Sequence, residues 1–120
     1  MLKKRIDSFK YAFTGIFDLF RSQVNAKIHL LMAFAVIVCG WFFGISIMEW
    51  CLVVICMGLV LAAEAFNTAI EYLTDLVSPE YHELAGKTKD VGAAGVLLMA
   101  IASAVVGLLI FLPKFWEMFF

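Results

Sequence analysis

Three long apolar runs set the pattern of the chain. Residues 28 to 48 and 91 to 112 contain no Asp, Glu, Lys or Arg, and residues 50 to 72 stay apolar until Glu64 and Glu71 enter their second half. At about 1.5 Å per residue such runs reach across a hydrocarbon core of about 30 Å. The pattern therefore predicts transmembrane helices at 28–48, 50–72 and 91–112. Ahead of them, in residues 3 to 24, Ile6, Phe9, Phe13, Ile16, Phe17 and Phe20 recur at helical spacing, with Lys3, Lys10, Asp18 and Arg21 elsewhere around the turn. This predicts an amphipathic helix lying in the membrane interface, a plain anchor being the simpler alternative to a chemical role. Glu49 and Trp50 read as a short turn, and residues 73–90 as a polar loop. The expected fold class is an all-α membrane protein, one domain over residues 1–120.

Composition agrees with that placement. A chain of 120 residues that is 64% hydrophobic is too apolar to hide its side chains in a soluble core. The net charge of −1 supplies no basic field for nucleic acid. Cys39, Cys51 and Cys56 all lie inside apolar runs without paired or metal-type spacing, so they read as small core residues. The first residues lack the compact apolar region of a signal peptide, and the first span is expected to be retained. Six of the nine basic residues precede residue 28, the 45–50 turn has none, and the 73–90 segment has Lys87 and Lys89. The positive-inside rule then puts the N-terminus and the second loop in the cytoplasm. Gly92, Gly95, Ala100, Ser103, Ala104 and Gly107 form a small-residue stripe that lets neighbouring helices approach closely.

Glu64, Asn67, Thr68, Glu71 and Asp75 fall at i, i+3, i+4, i+7 and i+11, one continuous helical face. A carboxylate at the depth of Glu64 costs a few kcal/mol or more unless it meets a partner or a wet cavity, which marks it as a candidate functional group. Glu71 lies about 10 Å further along the axis, too far to share a proton with it. The two could flank a reacting group. The deeper acid would take a proton from a lipid hydroxyl, and the shallower one would hold a divalent cation on incoming phosphates. A solvated helix end is the plain alternative for Glu71 and Asp75. The following segment gathers Glu80, His82, Glu83, Lys87, Lys89 and Asp90. Gly86-Lys87-Thr88 imitates the end of a P-loop, but Tyr81 occupies the required glycine position and no strand precedes it. His82-Glu83 lacks the second His of a zinc protease helix. Asp90 is open to two readings, a ligand or a cap of the third span.

Together, Glu64-Ala-Phe-Asn67-Thr-Ala-Ile-Glu71, Asp75 and Glu80-Tyr-His82-Glu83-Leu-Ala-Gly86-Lys-Thr-Lys89-Asp90 resemble the small integral-membrane prokaryotic diacylglycerol kinase family, which includes undecaprenol kinases. The likeness extends over nearly the whole chain. It implies a homotrimer in the bacterial inner (cell) membrane that uses ATP and Mg²⁺ to phosphorylate a lipid alcohol. The implied roles are Glu64 as general base, Asn67 as active-site support and Glu71 as metal ligand. Glu80, His82, Lys89 and Asp90 would surround the nucleotide, with Lys4 and Tyr11 at matching positions near ATP. The segment Gln23-Val-Asn25-Ala-Lys27-Ile-His29 resembles the family's Glu-x-Asn-x-Arg-Ile-His pattern, with Gln23 where a metal-binding Glu is expected and Lys27 replacing Arg. A Gln carbonyl is a weaker magnesium ligand than a carboxylate. Diacylglycerol is the first acceptor implied and undecaprenol the alternative, Asn25 and His29 looking more like the undecaprenol branch. Two readings of other classes compete. A small proton-coupled transporter also needs only one intramembrane Glu, though it has no use for the polar segment beyond it. A purely structural subunit would tolerate loss of both acids.

Overall fold

The computed structural model describes residues 1–120 as four helices: α1 (Leu2–Ser22), α2 (Val24–Phe43), α3 (Ile47–Val77) and α4 (Glu83–Phe119). Three of them, α2, α3 and α4, are long and apolar enough to cross a membrane. The all-helical, three-span architecture is thus the expected one. The boundaries differ, and each difference has a local cause.

Between α1 and α2 the break is a single residue. Gln23 is extended at φ −104°, ψ 118°, and α2 starts at once behind it, so the interfacial helix ends earlier and the first span begins earlier than apolarity alone suggests. The turn after α2 also comes early. Gly44 takes φ +62°, a conformation open to glycine, and closes α2 at Phe43. Ser46 then opens α3 with a capping box: its hydroxyl accepts the Glu49 N–H, and the Glu49 carboxylate accepts the Ser46 N–H. Glu49 and Trp50 are therefore in the first turns of α3 and are not the connection.

The expected loop at 73–90 shrinks to residues 78–82. α3 runs on to Val77 and stops where Ser78, forced out of the α region by Pro79, leaves the helix. At 31 residues α3 is about 46 Å long, longer than the hydrocarbon core, so Glu71 and Asp75 ride a protruding helical end. α4 begins at Glu83 behind His82, whose Nδ1 accepts the Leu84 N–H at 3.1 Å. Asp90 consequently lies in the second turn of α4, and His82 holds the capping position considered for it. The other end of α4 also passes its expected limit, continuing through Pro113 to Phe119. Membrane helices tolerate such a proline because neighbouring groups satisfy the freed carbonyl.

α3 is the central element. It packs along α4 over most of its length, touches α2 and α1 less extensively, and leaves α1 and α4 without contact. A cluster of buried apolar side chains lies at the end of the bundle around the α2–α3 turn, where Ile45, Val53 and Ile110 pack against Trp50, Phe43 and Val106. Gly40 makes that seat: a Cβ there would stand 2.6 Å from Trp50 Cη2. Lys114 closes the same end with a 3.2 Å ion pair to Glu49. Most large apolar side chains on the outside, Phe9, Phe13 and Phe17 of α1 among them, are exposed. Such a surface belongs against lipid or another subunit.

Candidate functional site

At the opposite end the buried face of α3 turns polar. Glu64, Asn67 and Thr68 are 2%, 8% and 4% exposed, and Glu64 Oε2, Asn67 Oδ1 and Thr68 Oγ1 have no hydrogen-bond partner. Leaving a buried acceptor or hydroxyl unpaired costs about 1–3 kcal/mol each. Three orphans within two turns of one helix face mark a place built to receive hydrogen-bonding groups.

Two neighbouring helices shape that place. From α4, Gly92 lies so close that an added Cβ would be 2.5 Å from Asn67 Oδ1. Its missing side chain is what lets α4 cross there. From α2, His29 Nε2 stands 3.8 Å from Glu64 Oε2. His29 also lines a cleft of about 230 Å³ between α2, α3 and α4, whose walls include Met32, Val36, Val60, Ala104 and Gly107. The wall is almost wholly apolar, so the cleft suits a hydrocarbon chain that ends near Glu64. A second groove of about 790 Å³ runs between α3 and α4 past Asn67, Thr74, Lys87 and Thr88.

The remaining sequence candidates occupy the protruding ends. Glu71 is half-buried on α3, one residue before Tyr72. The Tyr72 hydroxyl donates to Asp18 Oδ2 at 2.8 Å and stands 3.2 Å from Ser22 Oγ. This clamp fixes the end of α1, and with it the Gln23 elbow, beside the Glu71 turn. Lys89 Nζ reaches Asp75 Oδ1 at 2.6 Å and ties α4 to α3 across the 78–82 loop. Glu80, His82 and Asp90 are exposed near that loop. Lys4 and Tyr11 are exposed on α1, which does not touch α4. Within one chain they are not brought together with Lys89 and Asp90.

For a magnesium ion, no three His, Cys, Asp or Glu side chains converge into a ready cage. Magnesium asks for less, usually one or two carboxylates with waters and substrate phosphates filling its octahedron. The half-buried Glu71 carboxylate, with the Gln23 elbow held beside its turn, fits an ion that arrives on phosphates.

His29 is the residue that the sequence reading left outside the site. It sits in a run free of Asp, Glu, Lys and Arg, and a second ionisable side chain at membrane depth is itself a signal. Gly92 was legible only as part of a small-residue stripe, because its partner lies 25 residues away in sequence.

A model of the family described as prokaryotic diacylglycerol kinase matches residues 10–111. The undecaprenol kinase of Bacillus subtilis (strain 168) is 39% identical over 113 residues, which cover 94% of this chain and 92% of that protein. The diacylglycerol kinase of Haemophilus influenzae is 33% identical over 103 residues, 86% of this chain and 85% of that protein. A diacylglycerol kinase of Synechocystis sp. is 38% identical over 107 residues, 88% of this chain and 61% of its own length.

Proposed function

The chain belongs to the prokaryotic diacylglycerol kinase family and is a lipid kinase of the membrane, and on that premise we propose that it moves the γ-phosphate of ATP to a polyprenol such as undecaprenol. The observation that carries the site assignment is the trio of orphaned polar atoms on Glu64, Asn67 and Thr68, next to an apolar cleft whose His29 stands 3.8 Å from Glu64. A lipid hydroxyl entering there would donate its one proton to the Glu64 carboxylate and accept from the Thr68 hydroxyl, which the protein leaves unpaired. Glu64 takes the hydroxyl proton as the new O–P bond forms and the bond to the β-phosphate oxygen breaks, releasing ADP. The Thr68 O–H and the Asn67 amide N–H orient the acceptor oxygen by donating to it. Glu71, assisted by the Gln23 carbonyl, would hold magnesium, which when bound neutralises charge on the phosphates. Glu80, His82, Lys89 and Asp90, on the loop and the first turns of α4, embrace the nucleotide, with Lys4 and Tyr11 reaching it from α1.

That assignment draws on α1 and α4, which make no contact within one chain. A homotrimer, in which helices of adjacent copies meet, would resolve the separation. The membrane is the bacterial cell membrane, with the N-terminus and the 78–82 loop on the cytoplasmic side where ATP is found.

Undecaprenol moves ahead of diacylglycerol because the undecaprenol kinase match covers nearly the whole of both chains at 39% identity. Diacylglycerol remains the second reading, favoured by relatives from Haemophilus influenzae and Synechocystis. The test is γ-labelled ATP with each lipid in mixed micelles, with and without magnesium. Labelled polyprenyl phosphate at a higher kcat/KM than phosphatidic acid is expected. A reversed order transfers the assignment to diacylglycerol, and no labelled lipid from either removes the site reading.

A further inference from the structure

Within 4 Å of the Glu64 carboxylate, the side chain able to pair with it is His29, whose Nε2 is 3.8 Å from Oε2. The placement follows from α2 itself. Ala26, His29, Ala33, Val36 and Gly40 make the less exposed stripe of that helix, so His29 faces α3 and is turned away from lipid. An ionisable side chain on the inner face of a membrane helix calls for a polar partner, and at this level α3 offers Glu64. The other groups around the pair do not compete. Glu71 lies two turns further along α3, Lys27 is exposed on α2, and α4 lines this region with Gly92, Ala100 and Ser103.

We propose that His29 is the positioning residue for Glu64, its Nε2–H holding one carboxylate oxygen so that the other faces the acceptor hydroxyl. The proposal rests on the reading of Glu64 as the base. A separation of 3.8 Å exceeds hydrogen-bond length, and bonds at catalytic groups are commonly long until substrate arrives and tightens them. During transfer the hydroxyl proton passes to the free Glu64 oxygen, and His29 keeps its own proton throughout. A carboxylate left to rotate in an apolar cleft would lose the near-attack geometry, which is worth about 10²-fold for a misplacement of about 1 Å.

The experiment compares His29→Ala, His29→Gln and His29→Asn with Glu64→Gln and the Glu64→Gln/His29→Ala double variant, all in the full chain in mixed micelles. His29→Ala should lower kcat about 10²-fold with both KM values nearly unchanged. His29→Gln, whose amide nitrogen occupies the Nε2 position, should recover about tenfold, while His29→Asn, one bond short, should not. In the Glu64→Gln background His29→Ala should add nothing, because the two act as one unit. Equal activity of the Gln and Asn variants overturns the proposal, and so does a loss confined to acceptor KM, which would make His29 a wall of the cleft. A full additional loss in the double variant also overturns it. If Glu64→Gln itself turns over normally, the base reading fails and this one falls with it. If Glu64→Gln is dead while His29→Ala is fully active, this proposal alone fails. Melting temperatures on the same preparations identify a variant that has not folded, and the Gln and Asn pair then decides.

Discussion

Gly92→Ala separates stability from activity in a way the packing allows to be worked out. The new Cβ would lie 2.5 Å from Asn67 Oδ1, 3.6 Å from its Cγ and 3.8 Å from Ile70 Cγ2. Only the first contact is intolerable, since carbon contacts settle near 3.5–4.0 Å. Two responses compete. Parting α3 from α4 along their packed length is an overpacking strain of about 1–3 kcal/mol. Turning the Asn67 amide aside costs about 0.5–1.5 kcal/mol for a displaced rotamer and leaves the helices in place. The second is cheaper, and Oδ1 has no hydrogen bond to lose. Gly92→Ala should thus lower the melting temperature by only a few degrees. Turnover should fall about 10²-fold, because Asn67 no longer meets the acceptor. In an Asn67→Ala background the clash is absent, so the same substitution should cost no stability. Turnover and thermal melting on one detergent-purified preparation provide the measurement. Normal turnover with a lowered melting temperature would show that Asn67 stays put or has no part in the reaction.

Glu64→Gln should reduce kcat by about 10²- to 10⁴-fold while the protein stays folded, since it removes a costly intramembrane charge; near-normal turnover would dismiss the base. Glu71→Gln should raise the magnesium concentration needed for half-maximal rate and Gln23→Glu should lower it, and titrations that neither change would take both residues out of the metal site. Gly40→Ala should destabilise the protein by about 1–3 kcal/mol, because the rigid Trp50 ring 2.6 Å from the new Cβ has no cheap way to yield. The Gly40 seat is at the other end of α3, so turnover per folded molecule should be unchanged; a loss there would mean that the two ends are coupled.

Periodicity carried the architecture, because a span and an amphipathic interfacial helix each leave a long, repeated signal. Boundaries taken from hydropathy end where the membrane ends, whereas helices end where caps and breakers stand. Ser46-x-x-Glu49 was a readable capping box, and Ser78-Pro79 a readable stop. Hydropathy alone registers neither. The acidic face of α3 was legible because its members share one helix. The pairings that shape the site, His29 with Glu64 and Gly92 with Asn67, join different helices, and no spacing rule within one element encodes them.

The division of α3 into two ends explains why the site can afford its unsatisfied groups. Around the α2–α3 turn the helix is locked by Trp50 on Gly40, by the Ile45, Val53 and Ile110 cluster, and by Glu49 to Lys114. Those contacts supply packing that owes nothing to the polar atoms. Fifteen or so Å along the axis, Asn67 and Thr68 are held in position by a rigid helix and not by bonds of their own. Their position is therefore set before any acceptor arrives, which is the condition for electrostatic stabilisation without reorganisation during the reaction. Supplying internal partners to Asn67 Oδ1 and Thr68 Oγ1 would make the protein more stable and take those groups away from the acceptor. The tension is local to two helical turns, and the remainder of the fold absorbs it.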